Sequence, residues 1–155
     1  MKIDILTAPI PAFAALVNTH AAFCDATAPA ESCHRLPVSA LFTPDITVWA
    51  AYDGPALIGM GALKQMSAQD GEIKSMHTAA AARGQGTARM ILRTIIVAGA
   101  GRGIRRLWLE TGVHPDFAPA RALYAAHGFA ECAPFGDYVL DPHSTFMTKT
   151  LEPAP

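Results

Sequence analysis

Residues 72–88, which read EIKSMHTAAAARGQGTA, decide the fold of this chain. The first part, 72–78, is rich in strand-forming residues, and the last part is the loop Arg83-Gly84-Gln85-Gly86-Thr87-Ala88. From Ala88 to Ala98 the apolar residues recur at helical spacing, and the glycines within 99–103 end that pattern. The sequence therefore predicts a strand that passes into a helix through a glycine-containing loop.

This loop has the composition of an anion-binding site. Glycines let backbone N–H groups converge on one point, and the first turn of a helix leaves several N–H groups unpaired beside a partial positive charge. Arg83 adds a full positive charge at the entrance. The loop has neither the Gly-Lys-Ser/Thr of a Walker motif nor the third glycine of a dinucleotide-binding motif. A phosphate-binding loop is predicted, and a tight turn with Arg83 as a surface charge is the alternative.

The rest of the chain predicts a mixed α/β domain around this unit. Before it, residues 2–6 and two further segments have strand patterns, Asp53-Gly54 and Asp70-Gly71 predict hairpin turns, and the three strands nearest the loop form an antiparallel meander. One domain over 1–155 is expected, with the order β-α-α-β-β-β-α-β-α-β-β and a central, mostly antiparallel mixed sheet with flanking helices. The predicted strands are 2–6, 46–52, 56–66, 72–78, 104–111, 129–133 and 146–150, and the predicted helices are 9–24, a short one within 27–44, 88–98 and 119–127.

Composition excludes several classes of function. The chain has 155 residues, of which 51% are hydrophobic and 16% charged, and its formal net charge is -1. Because no run of lysines or arginines is present, a nucleic-acid partner is not expected. The N-terminus carries an acid within its apolar run and lacks the uncharged stretch of a signal peptide or membrane span, which predicts a cytoplasmic protein without a membrane partner.

The cysteines predict neither a disulfide framework nor a metal site. Cys24, Cys33 and Cys132 are odd in number and include no CxxC pair. A metal site built from Cys24, Cys33, His20 and His34 is the alternative, but no ligand spacing repeats. We therefore expect free thiols and no metal.

Two motifs carry a resemblance to a known family. Arg83, Gly86 and Ala88 fill the pattern Gln/Arg-x-x-Gly-x-Gly/Ala, and residues 123–129 read Leu-Tyr-Ala-Ala-His-Gly-Phe. The chain resembles the GNAT acetyltransferases, whose pyrophosphate loop and Leu-Tyr-x-x-x-Gly-Phe motif these are, and within them a bacterial subgroup of small members. Phe117 departs from the family, since many members have an asparagine seven residues before the tyrosine.

The resemblance implies a reaction and its co-substrate. Acetyl-CoA would be bound without a metal, and its acetyl group would pass to an amine of a small molecule or protein by direct attack in a ternary complex. The acceptor stays open, as does a homodimer. The cofactor-binding residues implied are Met76, His77, Thr78, Arg83, Gly84, Gln85, Gly86, Thr87 and Ala88.

The catalytic residues implied are Tyr124 and Glu72. The family uses the matching tyrosine to donate a proton or hydrogen bond to the departing sulfur; a packed core tyrosine is the alternative. Glu72 opens the strand that leads into the loop and is the candidate base, and a simple ion pair with Lys74, which could instead bind an acidic substrate, is the alternative. Glu110 is the other carboxylate near the expected cleft, where solvation of the strand end is the favoured role. His77 would contribute its backbone to cofactor binding, and its side chain is expected to be a bystander and not the base.

Two other functions compete with this prediction. A non-catalytic acyl-CoA-binding module would keep the loop, and a general nucleotide or phosphate binder would have no need of the segment 123–129. Both are tested by comparing binding with turnover.

Overall fold

Seven strands form one mixed sheet in the computed structural model, which describes residues 1–153. Residues 154 and 155, included in the predicted domain, lie outside the described residues. The strands follow one another across the sheet in the order β1-β2-β3-β4-β5-β7-β6. Their bounds are β1 (Lys2–Leu6), β2 (Ile46–Asp53), β3 (Ala56–Gln65), β4 (Asp70–Thr78), β5 (Arg106–Gly112), β6 (Ala130–Cys132) and β7 (Ser144–Thr150).

Three α-helices cover the sheet within residues 1–153: α1 (Pro11–Thr27), α2 (Thr87–Gly101) and α3 (Ala118–Ala126). The core cluster that contains α1 residues is separate from the cluster that contains α2 residues, and each uses alternate residues of β2 and β3. Because side chains alternate across a strand, these two helices pack on opposite faces of the sheet. In the described part of the chain, no helix is both long and apolar enough to cross a membrane.

The predicted fold class is confirmed, and one predicted helix is wrong. The meander β2-β3-β4 is antiparallel, whereas β4 and β5 pair in parallel. In place of a short α-helix within 27–44, the chain forms two 3-10 turns at Ala30–Ser32 and Val38–Leu41. Pro29 and Pro37 stand directly before these turns, and proline disfavours a helical conformation of the residue that precedes it, so neither turn extends towards the N-terminus.

The other differences are shifts of element ends. β7 begins at Ser144 because its ladder with β5 extends to the pair Gly112 and Ser144. The predicted strand 129–133 shortens to Ala130–Cys132, which pairs with β7 alone. Such ends depend on hydrogen bonds to a partner strand, which a single-strand pattern does not reveal.

The parallel strands β4 and β5 separate partway along their length. Their registered pairs run from Asp70 with Arg106 to Ile73 with Leu109, and both strands continue beyond the last pair. A bulge lies just beyond this point: Ser75 has a φ of 56°, and the register with β3 shifts between Met60 and Ala62. The two strands therefore diverge and leave a wedge-shaped opening in the sheet.

Helix α2 lies very close to β3 on one side of this opening. A Cβ atom at Gly59 would lie 2.7 Å from Thr87 Cγ2, and one at Gly61 would lie 2.7 Å from Ile91 Cγ2. Because these glycines lack side chains, the first residue of α2 reaches the sheet beside the bulge. This packing fixes the glycine loop at the mouth of the opening.

Candidate active site

The loop before α2 presents a row of free backbone donors. Gly84 and Gly86 have φ values of 78° and 84°, a left-handed conformation that glycine adopts without strain. Within residues 1–153, the N–H groups of 84–88 donate to no acceptor. A Cβ atom at either glycine would have no neighbour within 4 Å, so the concave side of the loop is open. These donors, at the positive end of α2, can bind an anionic group.

Arg83 is held at the edge of this loop. Its Nε donates to the Thr78 carbonyl at 3.4 Å, and its guanidinium carbon lies 5.7 Å from the centre of the Phe23 ring. The aromatic contact supports the cation from α1, a helix far away in sequence. The charge is thereby kept beside the free donors of the loop.

A cleft of about 520 Å³ runs from this loop between β4 and α3. Its lining is mostly apolar, and it has the size of a pocket for a small organic ligand. Its walls include backbone and side chains of the predicted loop together with residues that the motifs do not contain. The residues that line it include Phe23, Met76, His77, Thr78, Arg83, Gly84, Gly86, Thr87, Ala88, Phe117, Leu123 and Tyr124.

A smaller cavity of about 100 Å³, termed the inner pocket, adjoins this cleft. Both spaces are lined by His20, Met76, Phe117, Ala120 and Tyr124. The inner pocket occupies the wedge between β4 and β5 and is bordered on its far side by the segment 27–35. A ligand in the cleft and a second molecule in the inner pocket would therefore meet beside the same tyrosine.

Glu72 is held in a compact polar cluster at one side of the inner pocket. Lys74 Nζ donates to Glu72 Oε2 at 3.0 Å, and the Tyr138 hydroxyl donates to the same oxygen at 2.6 Å. Lys74 also donates to the Tyr138 hydroxyl at 3.1 Å. The side chains of Lys74 and Glu72 are only 10% and 7% exposed. This is the ion pair given above as the alternative role of Glu72, with Tyr138 as an unpredicted third member.

Glu110 lies on the opposite strand of the wedge and lines the same pocket. Within residues 1–153 it forms no salt bridge. Burial raises the pKa of Glu110 to about 7, while the Ser144 hydroxyl and the Lys74 charge act against this rise. A carboxyl group with such a pKa can accept and release a proton near neutral pH.

Two histidines contact each other where α1 crosses β4. The Nδ1 atoms of His20 and His77 are 3.0 Å apart, and His20 Nε2 lies 3.7 Å from Cys24 Sγ. Burial lowers the pKa of both histidines to about 4. Charge repulsion from His77 lowers the pKa of His20 further, and repulsion from Arg83 does the same for His77. The pair is therefore uncharged at neutral pH, and one imidazole donates to the other.

Comparison with known proteins identifies the family. A family model described as the acetyltransferase (GNAT) family matches residues 15–129, which is most of the chain. The chain belongs to the GNAT acetyltransferase family.

Individual relatives agree with this identification of the acetyltransferase. This chain is 46% identical over 151 residues to the uncharacterized N-acetyltransferase YsnE of Bacillus subtilis, and the alignment covers 97% of this chain and 99% of the relative. It is 44% identical over 151 residues to the uncharacterized N-acetyltransferase YedL of Escherichia coli, covering 97% and 94%. The predicted family and enzyme class, an acetyl-CoA-dependent N-acetyltransferase, are therefore confirmed.

Solved structures share the fold of the acetyltransferase. A Klebsiella pneumoniae protein described as an acyl-CoA N-acyltransferase superposes with a TM-score of 0.80 at 26% identity, covering 97% of each chain. An aminoglycoside 6'-N-acetyltransferase complexed with coenzyme A superposes with a TM-score of 0.73 at 15% identity, covering 100% of this chain and 99% of that one. At 15% identity, the similarity to the aminoglycoside acetyltransferase shows only that the two proteins share a fold.

The acetyltransferase brings most of its predicted site residues together. Of the predicted cofactor-binding residues, all but Gln85 line the cleft, and the Gln85 side chain bonds instead to the Ala81 carbonyl at 3.4 Å. Tyr124 is only 5% exposed, so its ring is packed in the core. It also lines both the cleft and the inner pocket and therefore lies where the two spaces meet. Phe117 forms an apolar wall with Phe23, their ring centres being 5.0 Å apart, where many family members have an asparagine.

Sequence reasoning missed Tyr138 and the pair of His20 with His77. Tyr138 and His20 lie in no motif, and each meets its partner across more than fifty residues, at a separation of 66 from Tyr138 to Glu72 and of 57 within the histidine pair. The three cysteines are free thiols, and within the described residues no group of three His, Cys, Asp or Glu side chains is placed to hold a metal.

Proposed function

We propose that this acetyltransferase transfers an acetyl group from acetyl-CoA to an amine by direct attack in a ternary complex. The observation that supports this most is the junction of the cleft and the inner pocket at Tyr124. The open N–H groups of 84–88 would bind the pyrophosphate, and the apolar cleft beside β4 would take the pantetheine arm. The coenzyme A bound to a structural neighbour of the same fold supports the same assignment.

In this proposal Glu110 accepts the proton of the amine. An alkylamine with a pKa near 10.4 is neutral only about once in 2,500 molecules at pH 7, so its ammonium form must lose a proton. Transfer to a carboxylate whose pKa is about 7 costs about 3 kcal/mol less than transfer to an ordinary one. The burial that raises this pKa is thus useful for the reaction.

Tyr124 acts on the other side of the reacting carbon. The amine nitrogen attacks the thioester carbonyl, the carbon–sulfur bond breaks, and the sulfur leaves as a thiolate. The second proton that the nitrogen loses in becoming an amide neutralises this thiolate or restores the Tyr124 hydroxyl. Burial, followed by the Glu110 charge, raises the pKa of Tyr124, so its hydroxyl is protonated and available as a donor. We propose that it donates a hydrogen bond or its proton to the departing sulfur.

Glu72 is the second candidate for the base, since it too lines the inner pocket. Its Oε2 already accepts hydrogen bonds from Lys74 and Tyr138, so a role as base would require this occupied oxygen to give up one of them. We propose that Glu72 mainly holds these two side chains in place. Kinetics of the two glutamine variants distinguish these roles.

The direct test combines binding with turnover. Acetyl-CoA at a hundred times its dissociation constant should stabilise the protein by about 2.7 kcal/mol against unfolding, with a much smaller effect from ATP or NAD. CoA thiol release should then be measured over a panel of amines that includes small primary amines, amino acids and lysine peptides. Stabilisation without turnover of any amine would favour the non-catalytic binding module, and an equal effect of ATP would favour a general nucleotide binder.

A further inference from the structure

A second pocket lies behind the inner pocket, on the side away from the cleft. This outer pocket has a volume of about 320 Å³ and is lined by Met66, Phe135 and Val139 among others. It shares the side chains of His34, Glu72, Lys74 and Tyr138 with the inner pocket. These four residues therefore form a partition between the two spaces.

Tyr138 is the central member of this partition and is fixed at both ends. Its hydroxyl is bonded to Glu72 and Lys74, as described above. Its ring meets His34 edge-on, with centres 4.9 Å apart, and contacts Phe135 at 5.0 Å between centres. A side chain held by both polar and aromatic contacts is a firm wall of the inner pocket.

The two loops that carry the partition are also tied to each other. The Ser32 hydroxyl donates to Asp141 Oδ2 at 2.7 Å, although these residues are 109 positions apart. His34 follows Ser32 in one loop, and Tyr138 precedes Asp141 in the other. The hydrogen bond therefore holds the partition in position between α1 and β7.

We propose that Tyr138 determines the size of the amine that this acetyltransferase accepts. The inner pocket of about 100 Å³ is smaller than the apolar cavity of about 150 Å³ that accepts a benzene molecule in another protein. It can receive an amino group with a few carbon atoms beside Glu110 and Tyr124, and the partition stops a longer chain. Compact primary amines are the acceptor class, and this inference rests on the proposed function.

The outer pocket offers space for a longer amine once the Tyr138 side chain is removed. Met66, Phe135 and Val139 offer apolar surface just behind Tyr138. If the phenol ring is removed, the alkyl chain of a longer amine can pass into this space and bury its methylenes there. Each methylene buried there should strengthen binding of the longer amine by about fourfold.

The test compares acceptor length in the parent and in variants of Tyr138. The probes are ethylamine, butylamine, hexylamine and octylamine, and kcat/KM is measured by CoA thiol release. In the parent, kcat/KM should fall with chain length. In Tyr138→Ala, the ratio for hexylamine over ethylamine should rise at least about tenfold. Tyr138→Phe is the matched control, because it removes only the hydroxyl and should keep the parental ratio.

Tyr138→Leu guards against a folding defect of the alanine variant. It retains apolar contact with Phe135 while opening part of the wall, so a smaller change in the same direction is expected. Stabilisation by acetyl-CoA reports whether each variant is folded. An equal fall for all four amines would show that Tyr138 only anchors its loop and would overturn the inference. Absence of turnover with every amine in the parent would count against the proposed function itself.

Discussion

The glycine loop and the inner pocket are built in different ways. The loop is one continuous segment, 83–88, and its donors are the backbone groups of a strand-to-helix connection. The inner pocket is assembled from α1, the segment 28–35, the divergent ends of β4 and β5, α3, and the connection between β6 and β7. In the proposed function, a group common to the whole family would be bound by local backbone geometry, whereas the acceptor would contact side chains brought together by tertiary structure.

The largest expected effect falls on the side-chain pocket. Glu110→Gln should lower kcat/KM by about 100- to 10,000-fold, because the amide cannot accept the amine proton. In the parent, kcat/KM should rise with pH through about 7 as Glu110 ionises. That acidic limb should vanish in the variant, as measured by pH profiles of CoA thiol release with a fixed amine.

Glu72→Gln is the matched control for this prediction. It removes a charge from the same pocket but leaves Glu110 in place, so the limb near pH 7 should persist. If Glu72→Gln instead loses the limb and Glu110→Gln retains it, the roles of the two carboxylates are exchanged.

The next effect concerns the backbone loop. Gly86→Asp should weaken acetyl-CoA binding by at least about 100-fold, because a carboxylate would face the bound pyrophosphate. Gly86 has a φ of 84°, which asparagine tolerates better than most residues. Gly86→Asn therefore controls for size and backbone strain without the charge. Calorimetric titration measures both variants, and equal affinities would place the pyrophosphate away from this loop.

A smaller effect is expected where the two regions meet. Tyr124→Phe should lower turnover by about 10- to 1,000-fold while keeping most of the CoA affinity. The phenyl ring should still pack against Phe129, whose ring centre lies 5.9 Å away. If Tyr124 is only a core residue, loss of the hydroxyl should change stability by about 1 kcal/mol and leave the turnover of folded protein unchanged. Steady-state rates and melting temperature decide between these outcomes.

The smallest effect tests the contact between α1 and β4. The pKa values of His20 and His77 are lowered to about 4, so the folded protein binds fewer protons than the unfolded chain below pH 6.5. The stabilising contribution of the neutral pair is present above pH 6.5 and is lost as the pH falls towards 4. Denaturant unfolding should show that the free energy of unfolding falls as the pH decreases across this window.

His20→Gln should reduce this pH dependence, because one of the two buried sites no longer titrates. His114→Gln, at a more exposed histidine, is the matched control and should leave the dependence in place. Equal slopes in the parent and His20→Gln would show that the histidine pair does not govern acid stability.

The sequence by itself determined the order of strands and helices, with the exception of the short helix within 27–44. It also determined the family and the position of the glycine loop. These features depend on periodicity, turn residues and glycine conformation, which act within a few neighbouring residues. Tyr124 could be selected because it lies in a motif with fixed spacing.

Only the tertiary structure decided the character of the acceptor side. The Glu110 carboxyl has an unusual pKa because residues from other segments exclude water from it, and Tyr138 reaches Glu72 across 66 positions. Burial and hydrogen bonding between distant segments leave no pattern in a single sequence. The sequence favoured Glu72 as the base and a solvated strand end for Glu110, whereas the structure pairs Glu72 with Lys74 and leaves Glu110 half-buried and without a salt bridge within residues 1–153.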